Sequence, residues 1–442
     1  MKVILGYGGE ELKLATPPPP KCKTLVSPQH GKLAGRSEID DALDNPVDSE
    51  PFSSLFKPGD TVTIIVPDIT RYCGADIFLP PVIERLNSAG VGDGAITILF
   101  ANGIHRKQTS EEKKSIVGGE VYGRIHSVDH DAMNDADHIL VEHENCAARL
   151  NRLAVGRGKL IITGAVGFHY LAGFGGGRKA IMPGVASYED AKKFHNLCMN
   201  PHGSGRSASA RAGILEGNPM SDYSFKIMNA VNPVFLINSV VNPDGQIAGV
   251  FAGDPVTAFI KACSAVEKMS TVSIDSPADV VVASCGGGPK DINFIQAHKT
   301  YEYSTGALKP GGKLYLAANC GDGIGSDDFI EWFKSGKPER PGRPERPEKI
   351  EERLRQNFSI NGHTALATAI KSDLYETHLL SELDHDTVRA MGMIPADSMA
   401  SFLSEASKAL ETANSGIVIP QGGYILPVVA EKKSGQAGSL RA

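Results

Sequence analysis

The chain has 442 residues, 41% hydrophobic and 22% charged, with a formal net charge of −6. That length implies two or three domains with a sizeable core, and the composition excludes an intrinsically disordered chain. The mildly acidic balance gives no electrostatic footprint for nucleic acid or an anionic membrane.

Met1–Thr16 lacks the basic and long apolar regions of a secretory signal, and no stretch reaches the roughly 18 apolar residues of a membrane span. Seven scattered cysteines, none in a Cys-x-x-Cys pair, fit reduced thiols, so a cytoplasmic protein is expected. The β-branched run Thr61–Val66 reads as a buried strand ending at Pro67 and Asp68, followed by a helix over Pro80–Ala89 and a second buried strand over Ala95–Phe100. Strand, helix and strand in that order form a parallel unit. Apolar runs at Ile139–Val141 and Lys159–Thr163 extend the pattern. After a helical stretch over Phe251–Met269, it restarts with Asp279–Cys285, a helix over Asp291–Gly306 and a strand over Lys313–Ala318.

The expected fold is therefore α/β, with two domains that each carry a mainly parallel sheet flanked by helices. The N-terminal domain spans 1–270, a smaller C-terminal domain spans 271–430, and a Gly-rich tail covers 431–442. Lys337–Lys349, alternating Pro with charge, reads as a solvated loop.

Open α/β sheets bind ligands beyond the carboxyl ends of their strands. The residues there are Asp68-Ile69-Thr70-Arg71, then Asn102-Gly103-Ile104-His105-Arg106, then a run from Gly164 through His169 to Lys179. Arg71 at one strand end suits an anionic substrate, and His105 and His169 suit acid and base, because imidazole titrates near neutral pH. A loop-packing role for each histidine competes with that reading.

Ala172–Lys179 packs Gly173, Gly175, Gly176 and Gly177 beside Arg178 and Lys179, a pattern that suits a phosphate nest or a flexible turn but is no Walker A loop. Lys179 also suits covalent attachment of a cofactor. Ser187-Tyr188-Glu189-Asp190 starts a helix whose apolar stripe, Ala191, Phe194 and Cys198, has His195 at its edge, as a core histidine or a single metal ligand. His126, His130, His138 and His143 read as a surface segment. In the second half, Gly286-Gly287-Gly288 leads to Gln296 and Lys299, which share a helix face.

Taken together, these residues resemble the nickel-dependent lactate racemase family, the nickel-pincer 2-hydroxyacid racemases and epimerases. The match is carried by Asp68–Arg71, Asn102–Arg106, His169–Lys179 with Pro183-Gly184, His195, and Pro289–Asn293 through Gln296 and Lys299. The resemblance implies an active site in the interdomain cleft. It also implies a Ni(II)-pyridinium-3,5-bisthiocarboxylic acid mononucleotide attached to Lys179, with His195 completing the nickel coordination. Asp68, Thr70, Gly173, Gly175, Gly176 and Gly177 would bind that cofactor, His105 and His169 would be acid and base, and Arg71, Gln296 and Lys299 would bind substrate.

The implied reaction inverts C2 of a 2-hydroxycarboxylic acid by reversible hydride transfer, since a proton alpha to a carboxylate is hard to remove. Enzymes that build the cofactor are implied partners. Tyr72-Cys73-Gly74, Gly167-Phe168 and Phe294-Ile295 depart from the family pattern and read as pocket walls that fit a side chain other than methyl. Two other readings are an enzyme acting on a phosphorylated small molecule through the glycine loop, and a non-catalytic nickel- or cofactor-binding protein.

Overall fold

The computed structural model describes residues 1–28, 33–156, 158–334 and 345–430. These fall into two compact units, one made of the described residues within 28–270 and 346–366, the other of those within 1–27, 271–345 and 367–430.

The first unit is built on a six-stranded sheet in the order Ile247–Gly253, Phe235–Val241, Lys159–Val166, Val62–Pro67, Ile96–Ala101, His126–Asp129. All its pairings are parallel except that of Phe235–Val241 with Ile247–Gly253. Ile64, Ile65, Val66, Ile98, Leu99, Phe100, Ile161 and Ile162 are all essentially inaccessible. Burial on both faces is what makes parallel strands read as continuous apolar runs.

The strand order decides where a ligand site forms. From Val62–Pro67 the chain first adds strands on one side, Ile96–Ala101 and His126–Asp129, then crosses to the other side with Lys159–Val166 and Phe235–Val241. The crevice at such a reversal, beyond the carboxyl ends of Val62–Pro67 and Lys159–Val166, is the usual ligand position in an open sheet.

The second unit carries a six-stranded, fully parallel sheet in the order Ile394–Pro395, Glu376–Leu380, Leu308–Ala317, Ala278–Ser284, Gly416–Ile419, Cys22–Thr24. Its core includes Leu5, Leu14, Val282, Tyr315, Phe402 and Val418. The short strand Cys22–Thr24 pairs with Gly416–Ile419, so residues 1–27 lie in this unit and not with 28–270, where the sequence division at 270 puts them. Residues 346–366 likewise belong to the first unit. The expected tail at 431–442 lies outside the described residues.

Four local expectations are corrected. The helix expected over Pro80–Ala89 runs Ala75–Ser88 with Pro80 and Pro81 inside it. Phe78, Leu79, Val82, Ile83 and Leu86 are all buried, and that stripe carries the helix through residues of poor propensity. Ile139–Val141 does not extend the parallel sheet: His138–His143 pairs antiparallel with Cys146–Asn151 in a separate ribbon.

Of the expected loop Lys337–Lys349, residues 337–344 lie outside the described part, while Pro347 opens the helix Pro347–Gln356 at a position that suits proline. The histidine stretch is not a surface segment throughout. His130 is 1% exposed, its Nε2–H donates to the Ala186 carbonyl at 2.9 Å, and burial lowers its pKa to about 4. The His138 side chain is enclosed beside it, with ring centroids 5.5 Å apart.

Among the described residues no helix is long and apolar enough to cross a membrane, and all seven cysteines are buried thiols.

Candidate active site

Asp68 follows the strand Val62–Pro67 and is 2% exposed. Its Oδ1 accepts from the Thr70 amide at 3.0 Å and the Thr70 hydroxyl at 2.6 Å, and its Oδ2 lies 2.5 Å from His105 Nδ1. Burial pushes the carboxyl upward, but the bonds from His105 and Thr70 and the charge of Arg71 outweigh it and hold the group below its ordinary value. Thr70 and Arg71 are exposed at the same strand end.

His105 lies on the loop after Ile96–Ala101. Asn102, 1% exposed, fixes that loop by donating to Asp129 Oδ1 and the His130 carbonyl, both at 3.1 Å, while its own carbonyl accepts the His105 amide at 2.9 Å.

His169 sits in a two-residue strand, Phe168–His169, paired antiparallel with Gly173–Phe174. Its Nδ1 accepts the amides of Leu171 at 3.2 Å and Ala172 at 3.1 Å. The ring stacks on Tyr170, with centroids 5.4 Å apart and planes 10° from parallel.

The glycine loop is shaped by packing more than by a free nest. The Gly175 amide donates to the Gly167 carbonyl at 2.8 Å and that of Gly177 to Asn238 Oδ1 at 3.0 Å, so the protein itself uses both donors. Gly173 has φ +77°, and a Cβ there would stand 2.1 Å from the Ile214 carbonyl oxygen. A Cβ on Gly177, φ +51°, would stand 2.5 Å from the Phe259 ring, so both positions require glycine. Gly176, at φ +72°, accepts the Lys179 amide on its carbonyl at 3.1 Å.

Arg178 is fully buried between Phe225 and Phe259, its guanidinium 4.8 and 4.7 Å from their centroids, and it donates to the Ala172 carbonyl at 2.8 Å. These anchors leave Lys179, the next residue, partly exposed at the end of the loop.

His195 lies on the helix Tyr188–Asn196, whose N-cap Ser187 accepts the Asp190 amide at 3.3 Å as its sequence implies. Its Nδ1–H donates to the Ala191 carbonyl one turn earlier at 2.7 Å, which leaves the Nε2 lone pair as the available donor atom. Burial first, then the charge of Lys179, with Arg71 and His105 adding to it, lowers the His195 pKa to about 4. The imidazole is therefore neutral, the form a metal takes. Among the described residues, no three or more His, Cys, Asp or Glu side chains gather as a metal site.

Gln296 and Lys299 belong to the other unit, on the helix Phe294–Ser304, where Lys299 Nζ donates to Gln296 Oε1 at 2.7 Å. Phe294, expected as a pocket wall, is fully buried against Phe329, and Cys73 is buried too; Tyr72 is exposed and Phe168 partly so.

Two residues near these groups, Asn238 and His363, escaped the sequence reading, and Tyr170 entered it only as part of the run His169–Lys179. Asn238, in the middle of Phe235–Val241, anchors Gly177 and donates to the Gly164 carbonyl at 3.1 Å. Its polarity, with that of Ser239, hid the strand as well. Tyr170 Oη lies 2.9 Å from His363 Nε2, and the His363 ring is 6.1 Å from that of His195. His363 lies in the helix Ile360–Leu374, far along the chain from His195, with no local motif to mark it.

Comparison with known proteins places the chain in a family. The lactate racemase N-terminal domain model matches residues 7–207 and the lactate racemase C-terminal domain model residues 274–426. A lactate racemase of Thermoanaerobacterium thermosaccharolyticum is 30% identical over 404 residues, 88% of this chain and 89% of the relative. One of Lactiplantibacillus plantarum is 32% identical over 315 residues, 70% and 72% of the two chains.

The structure of the lactate racemase apoprotein from Thermoanaerobacterium thermosaccharolyticum aligns with a TM-score of 0.85 at 27% identity, covering 97% of this chain and 100% of that one. A Thermotoga maritima crystal structure shares the fold at a TM-score of 0.67 and 17% identity, covering 91% of this chain and 100% of that one. These matches put the chain among the racemases, enzymes of the isomerase class. More narrowly, it belongs to the lactate racemase family.

Proposed function

We propose that this protein inverts C2 of a 2-hydroxycarboxylic acid, lactate or a larger homologue, with a nickel-pincer nucleotide carried on Lys179. The observation that carries the reading is His195: a neutral imidazole with Nδ1–H fixed on its own helix and Nε2 available, in the field of Lys179 and Arg71. That donor suits a d⁸ ion completed by soft sulfur and carbon donors from a bound group. When bound, the group supplies a hydride acceptor and donor, so that no carbanion need form beside a carboxylate.

The chain's own residues do the rest. Lys179 holds the nucleotide through its amine, and Asp68, Thr70 and the loop of Gly173, Gly175, Gly176 and Gly177 shape its seat. The Arg71 guanidinium, exposed at a strand end, binds the substrate carboxylate, with Gln296 and Lys299 as further substrate ligands. His105 and His169 exchange the hydroxyl proton from opposite faces. Partners are the small hydroxyacid and the enzymes that build the nucleotide, and the buried thiols suit a cytoplasmic setting.

The test is chiral chromatography after incubating nickel- and nucleotide-loaded protein with enantiopure lactate and a panel of larger 2-hydroxyacids. At least one acid should converge on a racemic or epimeric mixture. If fully loaded protein leaves every acid unchanged, the reading is wrong.

A further inference from the structure

We propose that the two histidines are held in opposite tautomers, His105 protonated on Nδ1 and His169 on Nε2, so that the resting site takes a proton at His105 and gives one at His169. The functional meaning rests on the acid/base roles just proposed, whereas the tautomers follow from each ring's own neighbours.

For His105 the decisive neighbour is Asp68. Its carboxyl is held ionised, and an ionised carboxylate only accepts, so the 2.5 Å contact to Nδ1 requires the ring proton there. In the neutral ring the lone pair is then on Nε2. Asp68 is a positioning residue in this sense: it fixes which nitrogen is basic.

For His169 the neighbours are of the opposite kind. Two backbone amides, Leu171 at 3.2 Å and Ala172 at 3.1 Å, donate to Nδ1, and an amide N–H cannot accept. Nδ1 therefore carries the lone pair and the neutral ring keeps its proton on Nε2. Stacking on Tyr170 and the pairing of Phe168–His169 with Gly173–Phe174 oppose a ring flip that would exchange the two nitrogens.

The pair is thus not interchangeable. A substrate hydroxyl facing His105 loses its proton to Nε2 of that ring, and the product hydroxyl takes one from Nε2 of His169. The protons balance within the turnover: His105 ends as an imidazolium beside the Asp68 carboxylate, and His169 as an imidazolate whose negative charge faces the two amides that donate to its Nδ1. The starting form returns when one proton passes from His105 to His169 through solvent, or when the opposite enantiomer is turned over. The enantiomer facing His105 is therefore the one the resting enzyme is ready to accept.

The experiment is long-range ¹H–¹⁵N correlation of the histidine rings in full-length, selectively ¹⁵N-histidine-labelled protein at roughly pH 8, above the ordinary imidazole value near 6.5. His105→Gln and His169→Gln assign the signals by loss. The expected wild-type pattern is a protonated Nδ1 with unprotonated Nε2 for His105 and the reverse for His169.

Asp68→Asn supplies a sharper arm. Because Oδ1 accepts both Thr70 bonds, the carboxamide keeps its oxygen there and turns its NH₂ toward His105, which should switch that ring to the Nε2–H form and leave His169 unchanged. A wild-type His169 protonated on Nδ1, or a His105 that keeps Nδ1–H in Asp68→Asn, would overturn the assignment. Because the NMR pattern is read without turnover, failure of the racemase reading shows instead as loaded protein that racemises nothing while both tautomers stand as stated.

Discussion

Alanine at His105 or at His169 is expected to cut racemisation by about 10²- to 10⁴-fold, the usual contribution of a positioned acid or base, while the nucleotide stays attached. The folding cost should be moderate, well short of unfolding the domain. The His105 side chain is 45% exposed, and without it Asp68 still accepts both bonds from Thr70, so the loss is about 1–3 kcal/mol from one missing partner of a buried carboxylate. His169 contributes a stacked ring and an acceptor for two amides at the edge of a two-residue ribbon. Initial rates with each enantiomer, paired with intact mass and a melting curve, check this. Normal turnover in either variant would remove that histidine from the mechanism.

His195→Ala is expected to separate attachment from metal retention. If the imidazole is the chain's ligand to nickel, its removal should weaken nickel binding at least about 100-fold, beyond the 10- to 100-fold effect typical of changing an outer-shell partner. The adduct at Lys179 should remain, because His195 holds its own position through the Ala191 carbonyl and the Phe194 ring, not through the lysine. Nickel content measured beside intact mass reads both quantities. Full nickel retention in His195→Ala would place the metal on other donors.

Much of this site is legible in the sequence because its residues come directly after strands that announce themselves. Thr61–Val66 and Ala95–Phe100 are unbroken β-branched and apolar runs with Ile64, Ile65, Val66, Ile98, Leu99 and Phe100 fully buried, so Asp68, Arg71 and His105 are located by their strand ends. His195 is legible in part: the capping serine and the apolar stripe define its helix, while the bond from Nδ1 to the Ala191 carbonyl, which selects the donor nitrogen, depends on a rotamer.

What stays hidden depends on distant contacts. Asn238 lies inside a strand whose polar centre breaks the apolar pattern, and its use is visible only when Gly177 and Gly164 come beside it. His363 reaches the vicinity of His195 because residues 346–366 return to the first unit, which no local pattern encodes. Cys22–Thr24 is a strand only because Gly416–Ile419 pairs with it. The glycine run misleads differently: its composition suits a phosphate nest, yet Gly173 and Gly177 are dictated by positive φ and close packing, and two amides of the loop are already bonded.

The central claim is that Lys179 carries a nickel nucleotide, and intact-protein mass spectrometry with nickel analysis tests it most directly. The comparison is wild type against Lys179→Ala, each produced with the cofactor-building enzymes. The expected result is a mass increment and about one nickel per chain in the wild type, both absent from Lys179→Ala. No increment and no nickel in the wild type, when the same enzymes load a known lactate racemase, would contradict it.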